Sequence, residues 1–327
     1  MRITAIILTY NEAIHIERAI RSIRPFADQI CVVDSDSTDD TRDIARELGA
    51  EVHTHAFINP ARQFQWALDT LDIRGDWVLR LDADEIIEPD LARRIATELP
   101  TLPADVVGIN FKRKHIFMDR WVRHGGRYPL VMLRLWRHGH GRIEDRWMDE
   151  HMVVRGGRTV TFEGGFADHN LHDLGYFTDK HNKYATREAI EVLNQRLGLF
   201  VRDEALNAHS ASSQAALKRW VKERLYNRIP FTVSATLYFL YRYIVQLGFL
   251  DGRSGLVYHF LQGYWYRFLV GAKVMELERA VAHLQDKSLI CAELSRLTGH
   301  RLVAQPPPHS PEAPHPDVTP RALATRP

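Results

Sequence analysis

Residues 6–12 read Ile6-Ile7-Leu8-Thr9-Tyr10-Asn11-Glu12, so that a short apolar run stops abruptly at four polar side chains. The run begins at Ile3, and its composition is typical of a strand that is buried on both faces of a sheet. The polar residues that follow either cap a helix or line the edge of a site. The rest of the first hundred residues favours the second interpretation.

Strand patterns and helix patterns alternate through residues 1–100. After the strand at 3–8, further strands are predicted at 29–33, 51–57 and 77–81. Helices are predicted at 13–23 with Asn11 as the cap, at 40–48 before Gly49, and from Pro60 and Pro89 onward. Repeated strand–helix–strand units form right-handed crossovers, so the pattern predicts an α/β fold with a mainly parallel sheet flanked by helices.

The predicted strands end in polar and acidic side chains. The three ends are 9–12, Asp34-Ser35-Asp36 and Asp82-Ala83-Asp84. Ligands of parallel sheets bind beyond the carboxyl ends of the strands, so these residues are expected to meet at one site. Crowded carboxylates repel one another, and a hard divalent cation with oxygen ligands relieves that repulsion. The alternative is that these acids are solvated loop caps.

Two familiar phosphate-binding motifs are missing from the sequence. Neither G-x-G-x-x-G after the first strand nor G-x-x-x-x-G-K-[ST] occurs, so no glycine-rich loop is available to cradle a phosphate. A nucleotide bound here would need another partner for its phosphates, and a metal ion held by Asp84 would supply one.

Composition excludes some classes of protein. The 327 residues are 45% hydrophobic and 26% charged with a net charge of only +2, so no basic field predicts nucleic-acid binding. Cys31 and Cys291 form neither a disulfide framework nor a metal-binding spacing, which favours a reducing compartment. The first apolar run is about five residues, shorter than a secretory signal, so we expect the protein on the cytoplasmic side.

The motifs "ILTYNE", "VVDSDSTDDT" and "GDWVLRLDADE", in this order, resemble the family 2 glycosyltransferases of the GT-A fold. The segments Asp149-Glu150-His151 and 249–255 ("FLDGRSG") are similar to the branch that includes lipopolysaccharide core β-1,4-glucosyltransferases. The resemblance implies a Rossmann-like GT-A fold and a metal-dependent, inverting transfer of sugar from a UDP-linked donor. It further implies a lipid-linked saccharide of lipopolysaccharide or another polysaccharide as the acceptor.

The same resemblance implies roles for single residues. Asp84 would ligate Mg2+ or Mn2+ between the phosphates, and Asp82 would face the ribose or the metal. Asp34 would contact the base or the ribose. Thr9, Tyr10 and Glu12 would border the nucleoside pocket. The sequence departs from the branch at two positions, because Asp36 replaces a glycine and Asp149 replaces the first histidine of His-Glu-His.

An inverting transfer needs a base on the face of the sugar opposite the leaving group. Acidic candidates cluster at 144–150, within "RIEDRWMDEH". Glu150 is the first choice because the resemblance places the family's carboxylate there, and Asp145 is the second. The alternative is a solvated segment with internal ion pairs to Arg142 and Arg146. A loop around Gly125-Gly126 is expected to exclude water.

The segment 168–173, "DHNLHD", offers a competing metal site with Asp168, His169, His172 and Asp173. Its spacing fits no standard zinc pattern. We therefore expect His169 near the acceptor or the phosphates and Asp173 as the cap of a helix at 176–197.

The carboxyl-terminal third changes in character. Basic residues between Lys218 and Arg228 precede two aromatic-rich apolar runs, 231–250 and 256–275. Arg242 makes a bilayer-spanning helix costly, so we expect two helices, joined at 251–255, that lie in the cytoplasmic leaflet of the inner (plasma) membrane. The alternative is a soluble helical hairpin packed on the catalytic domain.

These patterns divide the chain into three parts. Residues 1–205 are expected to form the catalytic domain, with a nucleotide-sugar half at 1–100 and an acceptor half at 101–205. Residues 206–298 form the helical, membrane-associated region, and 299–327 form a proline-rich disordered tail. Two other functions remain open: a nucleotidyltransferase on a similar fold, and a non-catalytic membrane-bound binding protein.

Overall fold

The computed structural model describes residues 1–143, 152–200 and 229–304. The strands are β1 (Ile3–Thr9), β2 (Gln29–Asp34), β3 (Glu51–Thr54), β4 (Trp77–Asp82), β5 (Glu85–Ile87), β6 (Val106–Phe117), β7 (Arg120–Val122), β8 (Leu130–Arg137), β9 (Gly141–Ile143), β10 (Met152–Val154) and β11 (Arg158–His169). The α-helices are α1 (Ala13–Ile23), α2 (Thr41–Glu47), α3 (Pro60–Thr70), α4 (Pro89–Glu98), α5 (Leu174–Leu197), α6 (Phe231–Leu240), α7 (Gly252–Tyr258), α8 (Tyr266–Val281) and α9 (Lys287–Thr298). Short 3₁₀ and π-helical turns occupy Leu99–Thr101, Tyr241–Val245, Gly248–Asp251 and His259–Trp265.

A nine-stranded sheet has the order β3-β2-β1-β4-β8-β6-β11-β5, with β7 paired to β6. Strands β3, β2, β1 and β4 are parallel, which confirms the predicted half-sheet. The other half is mixed, because β8 runs antiparallel to both β4 and β6, while β11 is parallel to β6 and antiparallel to β5. Strands β9 and β10 form a separate pair.

Strand β1 is buried on both faces, as its composition predicts. On one face α1 and α4 pack Ile16, Ile20 and Leu91 over the sheet. On the other face α3 packs Phe64 over Ile6. Each large apolar side chain buried in this way contributes about 1.5–3 kcal/mol relative to leaving it in water. The two packed faces hold β1, and therefore its polar carboxyl end, in a fixed position.

Of three local predictions about caps and strand ends, the structure confirms one and corrects two. Asn59 caps α3 as expected, since its side chain accepts from the backbone N–H of Arg62 at 2.7 Å. Asn11 does not cap α1; its φ is +54°, and its Oδ1 accepts from the N–H of Thr38 at 2.8 Å. Strand β3 ends at Thr54 rather than at residue 57, because Thr54 pairs with Asp34, the last residue of β2, and no partner strand continues.

The apolar carboxyl-terminal segment bends earlier than predicted. Its first helical stretch ends at Val245, and Leu247 follows with a left-handed φ of +61°. Residues 251–255, the expected joint, are helical or 3₁₀ instead. The bend is held from outside the segment, because the carbonyl of Gln246 accepts from the N–H of Gly125 at 2.9 Å. Arg242 is buried in protein and donates to the carbonyl of Gly125 at 2.9 Å.

The contacts divide the chain into two compact units. The first comprises residues 1–185 with the described part of 203–272, and the second comprises 186–202 with the described part of 273–327. The boundary expected at residue 205, the basic residues 218–228 and the tail from residue 305 lie outside the described residues. In the part of the chain that the structure describes, no single helix is long and apolar enough to cross a membrane. Phe231–Val245 and Gly248–Val281 meet that test only together, as a pair bent by 71°.

Candidate active site

The carboxyl ends of β1, β2 and β4 lie side by side. In the sheet register Thr9 pairs with Asp34, and Leu8 pairs with Asp82. The polar strand ends that the sequence predicted to converge are therefore neighbours along one edge of the sheet.

Asp34 forms the buried floor of this edge. Its carboxylate accepts from the hydroxyl of Thr9 at 3.0 Å and from the N–H of Ser37 at 2.9 Å. Asp34 has no exposed surface and Thr9 is only 4% exposed. In this structure Asp34 shapes the loop between β2 and α2, whereas a direct contact with base or ribose stays a prediction.

The rim above this floor is polar and solvent-accessible. Tyr10 is 58% exposed, as a residue at the edge of a nucleoside pocket would be. Asp36 has a left-handed φ of +60° and is also exposed. This backbone region favours glycine and is tolerated by Asp and Asn, which explains how Asp36 fits where the similar branch has a glycine. The extra charge faces solvent.

Asp82 is held by arginines. Its Oδ2 accepts from Nη2 of Arg134 at 3.1 Å, and the Nε of Arg80 lies 3.5 Å from its Oδ1. Burial would raise the pKa of Asp82, but Arg134 and Arg80 outweigh burial and lower it to about 2. Arg134 also pairs at 2.5 Å with Glu85, which is 1% exposed and accepts from the N–H of Asp82 at 3.0 Å. One buried guanidinium thus supports two carboxylates.

Asp84 has a different environment. Its Oδ2 accepts from the side-chain amide of Asn170 at 3.1 Å, and it forms no ion pair with any residue that the structure describes. Burial and then the carboxylates of Asp168 and Asp82 raise the pKa of Asp84. A carboxylate crowded by like charges without an arginine partner suits a hard divalent cation.

The described residues would contribute few ligands to that cation. Among the described residues, groups of three potential ligands occur at Glu12–His15–His172 and at Cys31–Glu51–His53, not at Asp84. Within the described chain Asp84 would therefore be alone or nearly alone in holding Mg2+ or Mn2+, with other coordination positions open to oxygens of a diphosphate and of water.

Glu12 and His15 form the side of the site next to α1. Glu12 Oε2 lies 2.5 Å from Nδ1 of His15, and Nε2 of His15 accepts from the N–H of Leu171 at 2.8 Å. Because Nε2 is the acceptor, Nδ1 carries the proton and donates to Glu12. Both nitrogens are engaged, so His15 fastens the segment after β11 to α1 and has no lone pair left for a metal.

The geometry argues against a metal site at residues 168–173, "DHNLHD". Asp168 lies 3.2 Å from Nδ1 of His115 and 3.5 Å from Arg113, which with Arg127 outweigh burial and hold its pKa far below the usual range. His172 stacks on Tyr176 with 3.9 Å between ring centroids. The remaining two side chains also have separate partners: Nε2 of His169 lies 3.3 Å from Asp119, and Asp173 caps α5 by accepting from the N–H of Tyr176 at 2.8 Å, as predicted.

The predicted general bases cannot be placed by the structure. Glu150, Asp145 and the other acids of 144–151 lie outside the described residues. Their segment is bounded by Ile143 and Met152, which pair with each other across β9 and β10. The assignment of Glu150 as base, with Asp145 second, stays a prediction.

The loop at Gly125-Gly126 is not a free lid. His124 contributes its N–H and its Nδ1 to the carboxylate of Asp251, at 2.9 and 2.7 Å. A Cβ built on Gly125 would lie 2.1 Å from Cε1 of His259. The loop is fastened to the carboxyl-terminal segment in this arrangement, and its role in excluding water stays a prediction.

The sequence is similar to that of known glycosyltransferases. Residues 4–165 match the family model "Glycosyl transferase family 2". An uncharacterized glycosyltransferase of Rickettsia bellii is 44% identical over 94 residues, which cover 29% of this chain and 31% of that protein. The succinoglycan biosynthesis protein ExoA of Rhizobium meliloti is 31% identical over 106 residues, covering 30% and 32%. The matched segment spans about a third of the length of these curated relatives.

Among solved structures, glucosyl-3-phosphoglycerate synthase from Mycobacterium tuberculosis, in complex with Mn2+, UDP and glucosyl-3-phosphoglycerate, is similar at 25% identity and a TM-score of 0.30. The match covers 35% of this chain and 44% of that one. The sheet, its acidic carboxyl edge and the sequence match are those of a glycosyltransferase domain. Over residues 4–165 the chain is similar to the family 2 glycosyltransferases.

Proposed function

We propose that this protein is a metal-dependent, inverting glycosyltransferase that moves a sugar from a nucleotide-sugar, with UDP as the nucleotide, to a lipid-linked saccharide. The observation that carries the proposal is Asp84, a carboxylate at the carboxyl edge of a family 2 domain, crowded by Asp168 and Asp82 and without an ion-pair partner in the described chain. The similarity of 149–151 and 249–255 to the lipopolysaccharide core branch supports an acceptor of lipopolysaccharide or a related polysaccharide.

The residues at the carboxyl edge of the sheet have different roles in binding and in catalysis. Thr9 and Asp34 keep the pocket floor in shape, and Arg134 keeps Asp82 ionised beside the donor. Asp84 would hold Mg2+ or Mn2+; such an ion, when bound, neutralises charge on the leaving diphosphate. Glu150 is proposed to accept the proton of the acceptor hydroxyl on the opposite face of the sugar.

The test is a donor screen. Purified protein is incubated with UDP-, GDP- and dTDP-sugars, with Mn2+ or with EDTA, and the released product is identified. We expect metal-dependent release of a nucleoside diphosphate from wild type and not from Asp84→Asn. Release of pyrophosphate from a nucleoside triphosphate and a sugar phosphate would favour a nucleotidyltransferase. Tight binding of a nucleotide-sugar without any release would favour a binding protein.

We also propose that the protein acts as a peripheral protein at the cytoplasmic face of the inner membrane. The support is an apolar surface on the segment 231–260, where Ile244 is 55% and Val245 is 67% exposed. An exposed apolar surface of many residues marks an interaction site. The cationic Arg253 of the same segment is exposed as well. The exposed large apolar residues of this surface are Val233, Leu237, Leu240, Tyr241, Ile244, Val245, Leu247, Phe249, Leu250, Leu256 and Phe260.

Vesicle flotation tests the membrane proposal. Wild type should float with vesicles that contain anionic lipid, and more protein should float at low salt. The double variant Ile244→Ser, Val245→Ser should lose most of this binding. Ile14→Ser and Leu289→Ser are matched controls, because these residues are exposed to 50% and 57% on other helices. If wild type stays in the soluble fraction at low salt, the membrane proposal is wrong. The apolar segment is then a soluble helical hairpin packed on the catalytic domain.

A further inference from the structure

The amino end of α5 belongs to the same site, although it lies beyond the end of the family match at residue 165. Asn170 donates to Asp84, and Leu171 donates to His15. His172 then lies edge-to-face against His15, with 5.0 Å between ring centroids, and stacks on Tyr176. These contacts bring the first turns of α5 against the carboxyl edge of the sheet.

Lys180 extends from this part of α5 toward the acidic edge. Its Nζ lies 5.8 Å from the centre of the Tyr176 ring, and the carboxylates of Asp84 and Glu12 are among the groups that act electrostatically on its ammonium. The side chain is half-buried. In the described chain it has neither a hydrogen bond nor an ion pair within 4.0 Å.

The other cations that the structure describes around Asp84 already have partners. Arg134 pairs with Asp82 and Glu85, Arg113 lies near Glu85 and Asp168, and Arg18 donates to the backbone carbonyl of His169. Lys180 therefore differs from these arginines, because its ammonium interacts electrostatically with Asp84 and Glu12 and has no hydrogen bond or ion pair among the described residues.

A diphosphate and the Asp84 carboxylate together carry more negative charge than one divalent metal ion can balance. The chain has no glycine-rich loop to donate backbone N–H groups to it. A lysine ammonium is a compact charge with three donors and binds phosphate in this role in other folds. We propose that Lys180 binds the diphosphate of the donor, with the stacked His172 and Tyr176 limiting the directions its side chain can take. This inference rests on the proposed function.

The experiment compares UDP with uridine, which has the same base and ribose and no phosphate. Binding of each to the full chain is measured by calorimetry in the presence of Mn2+. Lys180→Met should weaken UDP binding about tenfold or more, which corresponds to about 1.4 kcal/mol, and leave uridine binding unchanged. Lys180→Arg should restore most of the affinity. Lys183→Met is the matched control, since Lys183 is exposed on the same helix.

The outcomes separate this inference from the function on which it rests. Wild type that binds no nucleoside diphosphate would contradict the proposed function and the inference together. Wild type that binds UDP, with Lys180→Met equally tight, would contradict the inference alone. Equal losses for UDP and uridine would mean that Lys180 only supports the fold. Thermal unfolding of each variant is recorded, and Lys180→Gln replaces Lys180→Met if the latter does not fold.

Discussion

The side-chain amide of Asn170 donates a 3.1 Å hydrogen bond to the carboxylate of Asp84, across a sequence separation of 86 residues. A neutral amide fixes the orientation of the carboxylate without neutralising its charge. Asp82, two residues earlier, is instead neutralised by Arg134 and Arg80. The two acids of the Asp-x-Asp motif are therefore not equivalent, and only Asp84 keeps its charge available for a cation.

Asp84→Asn should abolish metal-dependent binding of UDP while preserving the fold. The raised pKa of Asp84 means that its ionised form destabilises the folded state above the ordinary pKa. Removing the charge should therefore raise the Tm slightly in EDTA at pH 7. Calorimetric titration with and without Mn2+ measures the first effect, and Asp43→Asn, an exposed acid on α2, is the control. Unchanged Mn2+-dependent affinity in Asp84→Asn would remove the metal role from this residue.

Arg134→Met should be among the most destabilising single changes in the sheet. It would leave the carboxylates of Asp82 and Glu85 near each other without their shared cation, which costs about 3–5 kcal/mol for a buried pair. Burial raises the pKa of Glu85 to about 8 even beside Arg134, so this acid should take up a proton once the guanidinium is lost, and adding Glu85→Gln should recover little further stability at pH 7. Thermal unfolding measures both effects. Arg46→Met, which breaks an exposed pair with Asp43, should change the Tm very little.

Glu150→Gln should leave donor affinity within a few-fold and reduce the transfer rate by roughly 10²–10⁴, because it removes a proton acceptor and keeps the shape. The measurement is steady-state transfer together with UDP binding. Glu144→Gln serves as the control within the same segment. Near-normal transfer by Glu150→Gln would move the assignment to Asp145, and loss of donor binding would place Glu150 on the nucleotide side.

Gly125→Ala should destabilise the protein far more than Gly139→Ala. Both glycines have a left-handed φ, +66° and +82°, so both substitutions carry a similar backbone strain of about 1 kcal/mol. Only at Gly125 would the new Cβ collide with His259, whereas Gly139 has open space around it. The difference in Tm between the two variants isolates that collision. Equal Tm values would mean that the loop and His259 separate readily.

Stability should decrease as the pH falls from about 6.5 toward 4. Burial, followed by the charge of Arg242, lowers the pKa of His259 to about 4, against the attraction of Asp251. Below its ordinary pKa the histidine is protonated in the unfolded chain but not in the folded one, so protons favour unfolding by up to about 1.4 kcal/mol per pH unit. His259→Gln should flatten the dependence of Tm on pH over this window. His283→Gln, at an exposed position, should not.

The parallel half of the fold could be predicted because its information is local. Apolar runs, caps such as Asn59 and the order of strands and helices identify β1 to β4 and bring Thr9, Asp34 and Asp82 to one edge. The mixed half could not be predicted in the same way. Its pairings join strands that are far apart in sequence, and a sequence pattern does not record which strand lies beside which.

The residues that sequence reasoning missed share a physical feature. Arg134, Glu85 and Lys180 are charged residues whose role depends on what they face across the fold. Glu85 stands next to the Asp-x-Asp motif and could have been weighed as its buried third acid. Arg134 interrupts the apolar run of β8, so the sequence indicates a buried cation there, but it does not indicate the partners of that cation.

The contacts of the loop 124–126 with residues 242–259 bear on how this protein should be prepared for experiments. A recombinant fragment that stops after α5 would expose the carbonyl of Gly125 and remove the carboxylate that receives His124. Such a fragment is expected to misfold or aggregate rather than to serve as a soluble catalytic core. Exchanging exposed apolar residues such as Ile244 and Val245 for polar ones keeps those contacts, and is the better route to crystals without detergent.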